Sequence, residues 1–209
     1  MNTVRLEQTQ LADLPALQTL TDAEALFLTR TPIADLTPLS GLNRLRVLGL
    51  KLTPVTDLSP LAGLTLMESL NLSFTSITDV TPLAGLTALT SLYLTGTLVE
   101  DITPLARMTR LGRLDLGGTR IADLTPLQGA RELISLQISG TRVTDLSPLR
   151  GAAGLRVLEA ADTDVSDVSP LAHLAEHARV DLRRTQVADF SALRCRVRDN
   201  RRWSVQAQP

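Results

Sequence analysis

Residues 117 to 129 read GGTRIADLTPLQG, and residues 139 to 151 read SGTRVTDLSPLRG, nearly the same thirteen residues 22 positions apart. Written from residue 1 with a period of 22, the chain gives nine units without an insertion or deletion, ending near residue 198. Thr holds the ninth position of every unit, from Thr9 to Thr185, and Asp holds the thirteenth, from Asp13 to Asp189. This register predicts a repeat architecture in which each unit packs only against its neighbours.

The residues of one unit predict its local structure. Leu92, Tyr93 and Leu94 alternate inward and outward, which predicts a short strand that pairs in parallel with identical strands 22 residues away. The Asp at position 13 is expected to accept backbone N–H bonds at the corner after the strand. The Ser or Thr that precedes Pro in DLSPL is expected to cap a short 3₁₀ or α turn.

The pattern L-x-x-L-x-L-x-x-T-x-I/V-x-D-L-S/T-P-L-x-G-L resembles the leucine-rich repeat, and its 22-residue length is most similar to the internalin-type subclass. The resemblance covers about residues 1–198. It implies an α/β solenoid, a right-handed arc with a parallel β-sheet on the concave face and short 3₁₀ or α turns on the convex face. Members of the subclass usually carry Asn at position 9, where its amide bonds backbone groups of adjacent loops. Thr replaces that Asn throughout, so we expect a Thr ladder that does the same structural job with fewer bonds.

The domain organisation follows from where the repeat ends. We assign residues 1–198 to nine repeats and residues 199–209 to an irregular C-terminal cap and tail. If one extra residue is allowed, Trp203 and Val205 fall where the two strand leucines would be, and Trp203 is expected to cover the last layer.

Composition narrows the class of protein. The chain has 209 residues, a net charge of −1, 44% hydrophobic residues and only 2% aromatic residues, so its core must be aliphatic. No basic and apolar leader and no apolar run of about 18 residues is present, which predicts a soluble, cytoplasmic protein without a membrane partner. Cys195 is the sole cysteine, which rules out an internal disulfide. Lys51 is the sole lysine, and this preference for Arg suggests a GC-rich bacterial genome.

The positions that vary between units point to a binding surface. The middle strand residue forms a central column that reads Arg5, Phe27, Gly49, Asn71, Tyr93, Asp115, Gln137, Glu159 and Asp181. Three of the five aromatic residues lie on or beside this column, where the core gains nothing from them. Exposed aromatics among charged groups are typical of a protein-binding surface, although exposed positions also vary when nothing constrains them. The candidate partner-binding residues are Phe27, Asn71, Phe74, Tyr93, Arg113, Asp115, Gln137, Glu159 and Asp181.

Three other patterns suggest different chemistry. HLAEH at residues 173–177 matches the H-x-x-E-H spacing of a zinc peptidase, but the repeat register accounts for both histidines and leaves no third one. DTDVSD at residues 162–167 resembles a calcium loop without the required Gly and Glu. Residues 179–202 carry eight Arg against three Asp, which would suit nucleic acid, yet no stacking aromatics are interleaved. We read the C-terminal part of that segment, Arg194 to Arg202, as a cap or a second binding surface.

The sequence therefore predicts a protein–protein interaction module that binds a protein partner on its concave face, not an enzyme, with no cofactor and no metal. Two settings fit: an intracellular inhibitor or immunity-type protein, and a secreted bacterial effector that uses the same surface. A zinc hydrolase at His173 and His177 is the rival from another class.

Overall fold

The computed structural model describes residues 2–9, 15–194, 196–199 and 203–205. Within them, eleven three-residue strands form one sheet. The strands, β1 to β11 in chain order, are Thr3–Arg5, Ala25–Phe27, Val47–Gly49, Ser69–Asn71, Ser91–Tyr93, Arg113–Asp115, Ser135–Gln137, Val157–Glu159, Arg179–Asp181, Arg196–Arg198 and Trp203–Val205.

The strands lie in the sheet in the order in which they occur along the chain, so each unit touches only the units before and after it. Strands β1 to β10 are parallel, and β11 pairs antiparallel with β10. The register joins equivalent positions, so that Leu48, Leu70, Leu92 and Leu114 stand side by side. The predicted solenoid with a parallel sheet on one face is confirmed.

Alternation decides which side chains face the core. In β5, Leu92 is buried while Ser91 and Tyr93 are partly exposed on the opposite, concave face. The strand begins one residue earlier than the alternating leucines predict. Leu94 follows it, also buried, and its N–H donates to the carbonyl of Asp115 at 2.7 Å, so the inter-unit ladder continues past the strand.

A tight turn follows each strand and explains the threonine column. The Leu116 carbonyl oxygen accepts two bonds from Thr119, one from its backbone N–H at 3.2 Å and one from its hydroxyl at 2.6 Å. Gly118, which lies between Leu116 and Thr119, has φ of +66°. Seven of the threonines are buried, as expected of a ladder, namely Thr31, Thr53, Thr75, Thr97, Thr119, Thr141 and Thr163. Each of these hydroxyls, however, bonds a carbonyl three residues earlier in its own unit, so the expectation that it reaches an adjacent loop is wrong.

Each of the first eight units places one 3₁₀ turn on the convex side. The turns are Pro15–Thr19, Thr37–Leu39, Ser59–Leu61, Thr81–Leu83, Thr103–Arg107, Thr125–Leu127, Ser147–Gly151 and Ser169–Leu171. The Asp at position 13 accepts a backbone N–H as predicted, for example that of Thr125 on Asp123 Oδ1 at 2.7 Å. The prediction that Ser or Thr caps the turn is wrong, since that residue is the first residue of the turn and makes no capping bond. A carboxylate two residues earlier is the stronger acceptor for the free N–H groups.

The core is a stack of aliphatic layers between the sheet and the turns. One layer consists of Leu114, Leu116, Ile121, Leu124 and Leu127, all buried. Every buried side-chain nitrogen or oxygen in the described part of the chain has a hydrogen-bond partner. Among those same residues, no helix is both long and apolar enough to cross a membrane.

The last strands depart from the repeat. Strand β10 begins at residue 196, only 17 residues after β9 begins at residue 179, and its Val197 is buried in the core cluster. Strand β11 then reverses direction and places Ser204 opposite Val197. The expectation that Trp203 and Val205 take the strand-leucine positions is therefore wrong. The side chain of Trp203 and all of Cys195 lie outside the described residues.

Candidate protein-binding surface

The central column is formed as the repeat register requires. Neighbouring strands bring its members together as Cα partners, which read Arg5, Phe27, Gly49, Asn71, Tyr93, Asp115, Gln137, Glu159 and Asp181 in order across the sheet. Tyr93 stands fifth of these nine and is partly exposed. The column is therefore one row across the sheet with an aromatic ring at its middle.

Several polar side chains of the column accept hydrogen bonds from the backbone beside them. Three of them accept the backbone N–H of the residue two positions later, each at 3.0 Å. These bonds join Asn71 Oδ1 to Ser73, Asp115 Oδ1 to Gly117 and Gln137 Oε1 to Ser139. The unit with Glu159 differs, because Ala161 N–H donates instead to Ser139 Oγ at 3.1 Å. Local structure thus accounts for part of the polarity of this column, and it also holds these side chains in place.

Phe27 packs against its neighbours on both sides. The Arg5 guanidinium lies 4.3 Å from the centre of the Phe27 ring, which is favourable for a cation–π contact. The ring also lies over Gly49, where an added Cβ would sit 3.1 Å from Phe27 Cδ1. The glycine thereby makes room for the ring, and Phe27 is only half-exposed.

Phe74 is placed differently from the other candidates. It does not lie on a strand but in the turn after β4, with φ of +58° and 49% of its surface exposed. The Lys51 ammonium lies 5.4 Å from the ring centre, and an added Cβ on Gly96 would sit 2.7 Å from Phe74 Cδ1. Phe74 therefore covers the next unit's glycine at the edge of the sheet, outside the central column.

Asp181 is the candidate partner-binding residue that a partner cannot reach. It is only 1% exposed, and Arg183 donates to both of its carboxylate oxygens at 2.7 to 3.0 Å. Arg198 on β10 lies 3.9 Å away. Burial by itself would raise the pKa of Asp181, but the hydrogen bonds and charge of Arg183 lower it overall. The early start of β10 makes this acid part of the C-terminal cap.

The remaining charged candidates are accessible. Burial raises the pKa of the half-buried Glu159, the nearby Asp181 carboxylate adds to that effect, and Arg183 opposes it. Arg113 is exposed beside the central column and makes no ion pair with any described residue. Glu159 and Arg113 thus offer opposite charge on one surface.

The rival sites have local explanations. The His173 ring nitrogens lie 3.0 Å from the Pro170 carbonyl oxygen and 3.3 Å from that of Ala152, and HLAEH lies in and after a turn instead of on a helix. Asp162 of the DTDVSD segment forms an ion pair with Arg184, whose hydrogen bonds lower the pKa of that acid. No group of three His, Cys, Asp or Glu suited to a metal occurs in the described ranges.

Sequence reasoning missed the strained turn that carries Phe74. All nine turns have positive φ at position 8, and the signal for it was present in Gly96, Gly118 and Gly140, which recur at the same position. Glycine in register at one position of a turn is typical of a left-handed backbone conformation.

Comparisons with known proteins agree with this architecture. The profile of the family Leucine Rich repeats (2 copies) matches residues 65–107, and a search of curated proteins finds no match. The structure of internalin C2 from Listeria monocytogenes is 34% identical with a TM-score of 0.82, covering 94% of this chain and 80% of that one. An internalin (inlF) from the same organism is 30% identical with a TM-score of 0.91, and the match covers 95% of this chain. This chain spans 60% of the length of that internalin.

A leucine-rich-repeat protein of Leptospira interrogans shares the fold with a TM-score of 0.83 at 17% identity, covering 94% of this chain and 60% of that one. Leucine-rich-repeat domains commonly bind protein partners and are generally not catalytic. The period, the parallel sheet and the likeness to internalin C2 lead to one conclusion: the chain belongs to the leucine-rich-repeat proteins and has repeats of the internalin type.

Proposed function

We propose that this protein binds a protein partner with the concave face of its sheet. The observation that carries the proposal is Tyr93, a partly exposed aromatic side chain at the middle of the central column. Buried aromatic residues near the centre of an interface contribute much of the binding energy, while charged residues at the rim mainly affect the association rate. Arg113 and Glu159 are suited to that second role.

The fixed polar side chains support the same proposal. Asn71, Asp115 and Gln137 are each held by a hydrogen bond to the backbone two residues later. A side chain that is already ordered loses little conformational entropy when a partner binds. The column is therefore preorganised, with rigid polar groups beside an aromatic anchor.

For the biological setting, we propose a cytoplasmic inhibitor or immunity-type protein whose sheet occludes a bacterial enzyme or toxin. A broad, rigid sheet face suits occlusion, and a chain with one cysteine relies on no internal disulfide. The alternative is a secreted effector that uses the same face. Cell fractionation followed by affinity purification separates the two, because an inhibitor forms a stoichiometric complex with a protein of its own cell.

The test compares Tyr93→Ala with Arg150→Ala, since Arg150 lies on a convex 3₁₀ turn. Tyr93→Ala is expected to weaken the purified complex by about 2 kcal/mol or more and to leave the unfolding free energy within about 0.5 kcal/mol. Arg113→Ala is expected to slow association most at low salt. Calorimetric titration and denaturant unfolding measure these effects. Normal binding by Tyr93→Ala together with loss of binding by Arg150→Ala would show that the concave face is not the site.

A further inference from the structure

Position 8 of each unit is a strained backbone position. All nine residues there have φ between +56° and +68°, namely Gln8, Arg30, Leu52, Phe74, Gly96, Gly118, Gly140, Asp162 and Arg184. Glycine adopts this conformation freely, whereas a residue with a Cβ pays a steric penalty. Three units have Gly at this position. The other six have a residue with a side chain, whose Cβ strains the backbone.

In the third and fourth units, burial of the side chain does not offset the strain of the positive φ. Leu52 is 39% exposed and Phe74 is 49% exposed, although both are large and apolar. Leu98, two residues after Gly96 in the next unit, is 40% exposed. Strained residues that gain nothing from the core are typical of functional surfaces.

Leu52 and Phe74 hold the same position in adjacent units, and Leu98 follows by two residues the glycine that the Phe74 ring covers; we call Leu52, Phe74 and Leu98 the apolar edge. Phe74 bridges two units, because its ring lies against Gly96 in the fifth unit. The apolar edge runs along the turns that follow the strands, beside the concave face and outside the central column. It is therefore a surface separate from the one proposed above.

At positions 7 to 10 of the units that carry the apolar edge, the charged residues are of one sign, and Glu100, two residues after Leu98, is paired with Arg120. Positions 7 to 10 of units two to five read TRTP, KLTP, SFTS and TGTL, with two cations, Arg30 and Lys51, and no acid. Neither cation forms an ion pair with a described residue. Lys51 instead lies over the Phe74 ring, 5.4 Å from its centre. Apolar side chains flanked by two cations are complementary to acidic groups beside apolar ones.

We propose that the apolar edge is a second docking surface, which binds an acidic segment of another protein that carries apolar side chains. Apolar side chains of the segment pack on Leu52, Phe74 and Leu98, while its carboxylates pair with Arg30 and Lys51. Nucleic acid fits less well, because binding to phosphates draws on many cations and this surface has two. The proposal goes beyond the concave-face function and does not depend on it.

The deciding variant is Phe74→Gly. Glycine suits φ of +58°, so the variant removes the ring and relieves strain at the same time. The melting temperature is expected to stay within about 2 °C of wild type. The matched control is Gln8→Gly, which makes the same backbone change at φ of +59° in the first unit, away from the apolar edge.

The probe is a random 12-residue peptide library displayed on phage and selected on the immobilised wild-type protein. We expect enriched peptides to carry Asp or Glu beside Leu, Phe or Trp. Synthetic peptides of the enriched sequences are expected to bind Phe74→Gly about tenfold or more weakly than wild type by fluorescence anisotropy. They are expected to bind Gln8→Gly and Tyr93→Ala as they bind wild type.

Several results would overturn the proposal. These are no enrichment, enrichment of basic or purely polar peptides, and equal binding of the enriched peptides by Phe74→Gly and wild type. Loss of the enriched peptides in Tyr93→Ala but not in Phe74→Gly would place their site on the concave face, which would refute the apolar edge and support the proposed function. Phe74-dependent binding of a 12-nucleotide single-stranded DNA, or a dimer that dissociates on Phe74→Gly, would assign the surface to another occupant.

Discussion

The threonine at position 9 closes the turn after each strand with two bonds to one carbonyl. In the sixth unit, the Leu116 carbonyl oxygen accepts both the hydroxyl and the N–H of Thr119. The hydroxyl is buried and cannot turn to water, so its bond is obligatory in the folded state. The β-branched side chain keeps that hydroxyl in place at little entropic cost.

Thr119→Val tests this bond, because Val keeps the shape and removes the hydroxyl. We expect a loss of about 1 kcal/mol in the free energy of unfolding, since the Leu116 carbonyl still accepts the N–H of residue 119. Urea denaturation measures it, with the exposed Thr65→Val as a control. Equal or greater stability of Thr119→Val would mean that the column is there for its β-branched packing alone.

Gly118 shows the backbone side of the same turn. Its φ is +66°, and an added Cβ would meet nothing closer than 3.8 Å, so conformation is the main obstacle to a side chain there. Gly118→Ala should destabilise by about 1 kcal/mol. Gly41→Ala, at a glycine without positive φ and with no atom within 4 Å of the added Cβ, should be neutral or slightly stabilising. Equal midpoints of the two variants in denaturant would refute the assignment of strain to position 8.

At the scale of the element, an ionised carboxylate stabilises several of the convex turns. Hydrogen bonds from the hydroxyl and the backbone N–H of the residue two positions later lower the pKa of Asp35, Asp79, Asp101, Asp123 and Asp145. The pKa of Asp189 is lowered in the same way, with the backbone bond as the larger cause. A lowered pKa means that the folded state prefers the ionised acid.

These shifts predict acid sensitivity. A carboxyl whose pKa is lower in the folded than in the unfolded chain contributes stability above its unfolded pKa, about 3.9 for Asp, and loses it as the pH falls through the folded value. The urea concentration at the unfolding midpoint is therefore expected to fall when the pH drops below about 4, because the Asp side chains of several turns are protonated together. Asp123→Asn keeps an acceptor oxygen without the charge and should reduce that drop. Identical pH profiles for the variant and wild type would argue against the Asp turns as its cause.

The whole molecule is a linear stack, so its two end layers need covering. At the C-terminal end, β10 places Val197 against the last layer and β11 pairs with the exposed edge of β10. Arg198 on β10 lies near the buried Asp181, which joins this cap electrostatically to the ninth unit. The Arg-rich segment thus contributes a structural strand to the solenoid.

Truncation tests the cap. A chain that ends at Arg194 lacks β10 and β11, and is expected to lose about 2 kcal/mol or more because Val197 no longer covers the core. The unpaired edge of β9 should also promote association between molecules. Thermal unfolding and sedimentation measure the two effects, with removal of residues 206–209 alone as the control. A truncated chain as stable and as monomeric as the control would show that the cap is dispensable.

The sequence by itself determined the period, the inward leucines, the parallel pairing and the order of the central column. It could do so because each unit has nearly identical neighbours, so the local pattern of one unit also states what it packs against. The nine candidate partner-binding residues followed from the same register, and only Asp181 among these nine is buried.

Only the tertiary structure decided the features that depend on contacts outside that pattern. The left-handed turn places Phe74 at the sheet edge, because the ring needs the space above Gly96 in the next unit. The early strand β10 buries Asp181 between Arg183 and Arg198, at a place where the 22-residue register no longer holds and so could not predict it. The interior of a repeat array follows from its identical neighbouring units. Its ends, and side chains such as Phe74 that occur in one unit only, depend on contacts that occur once.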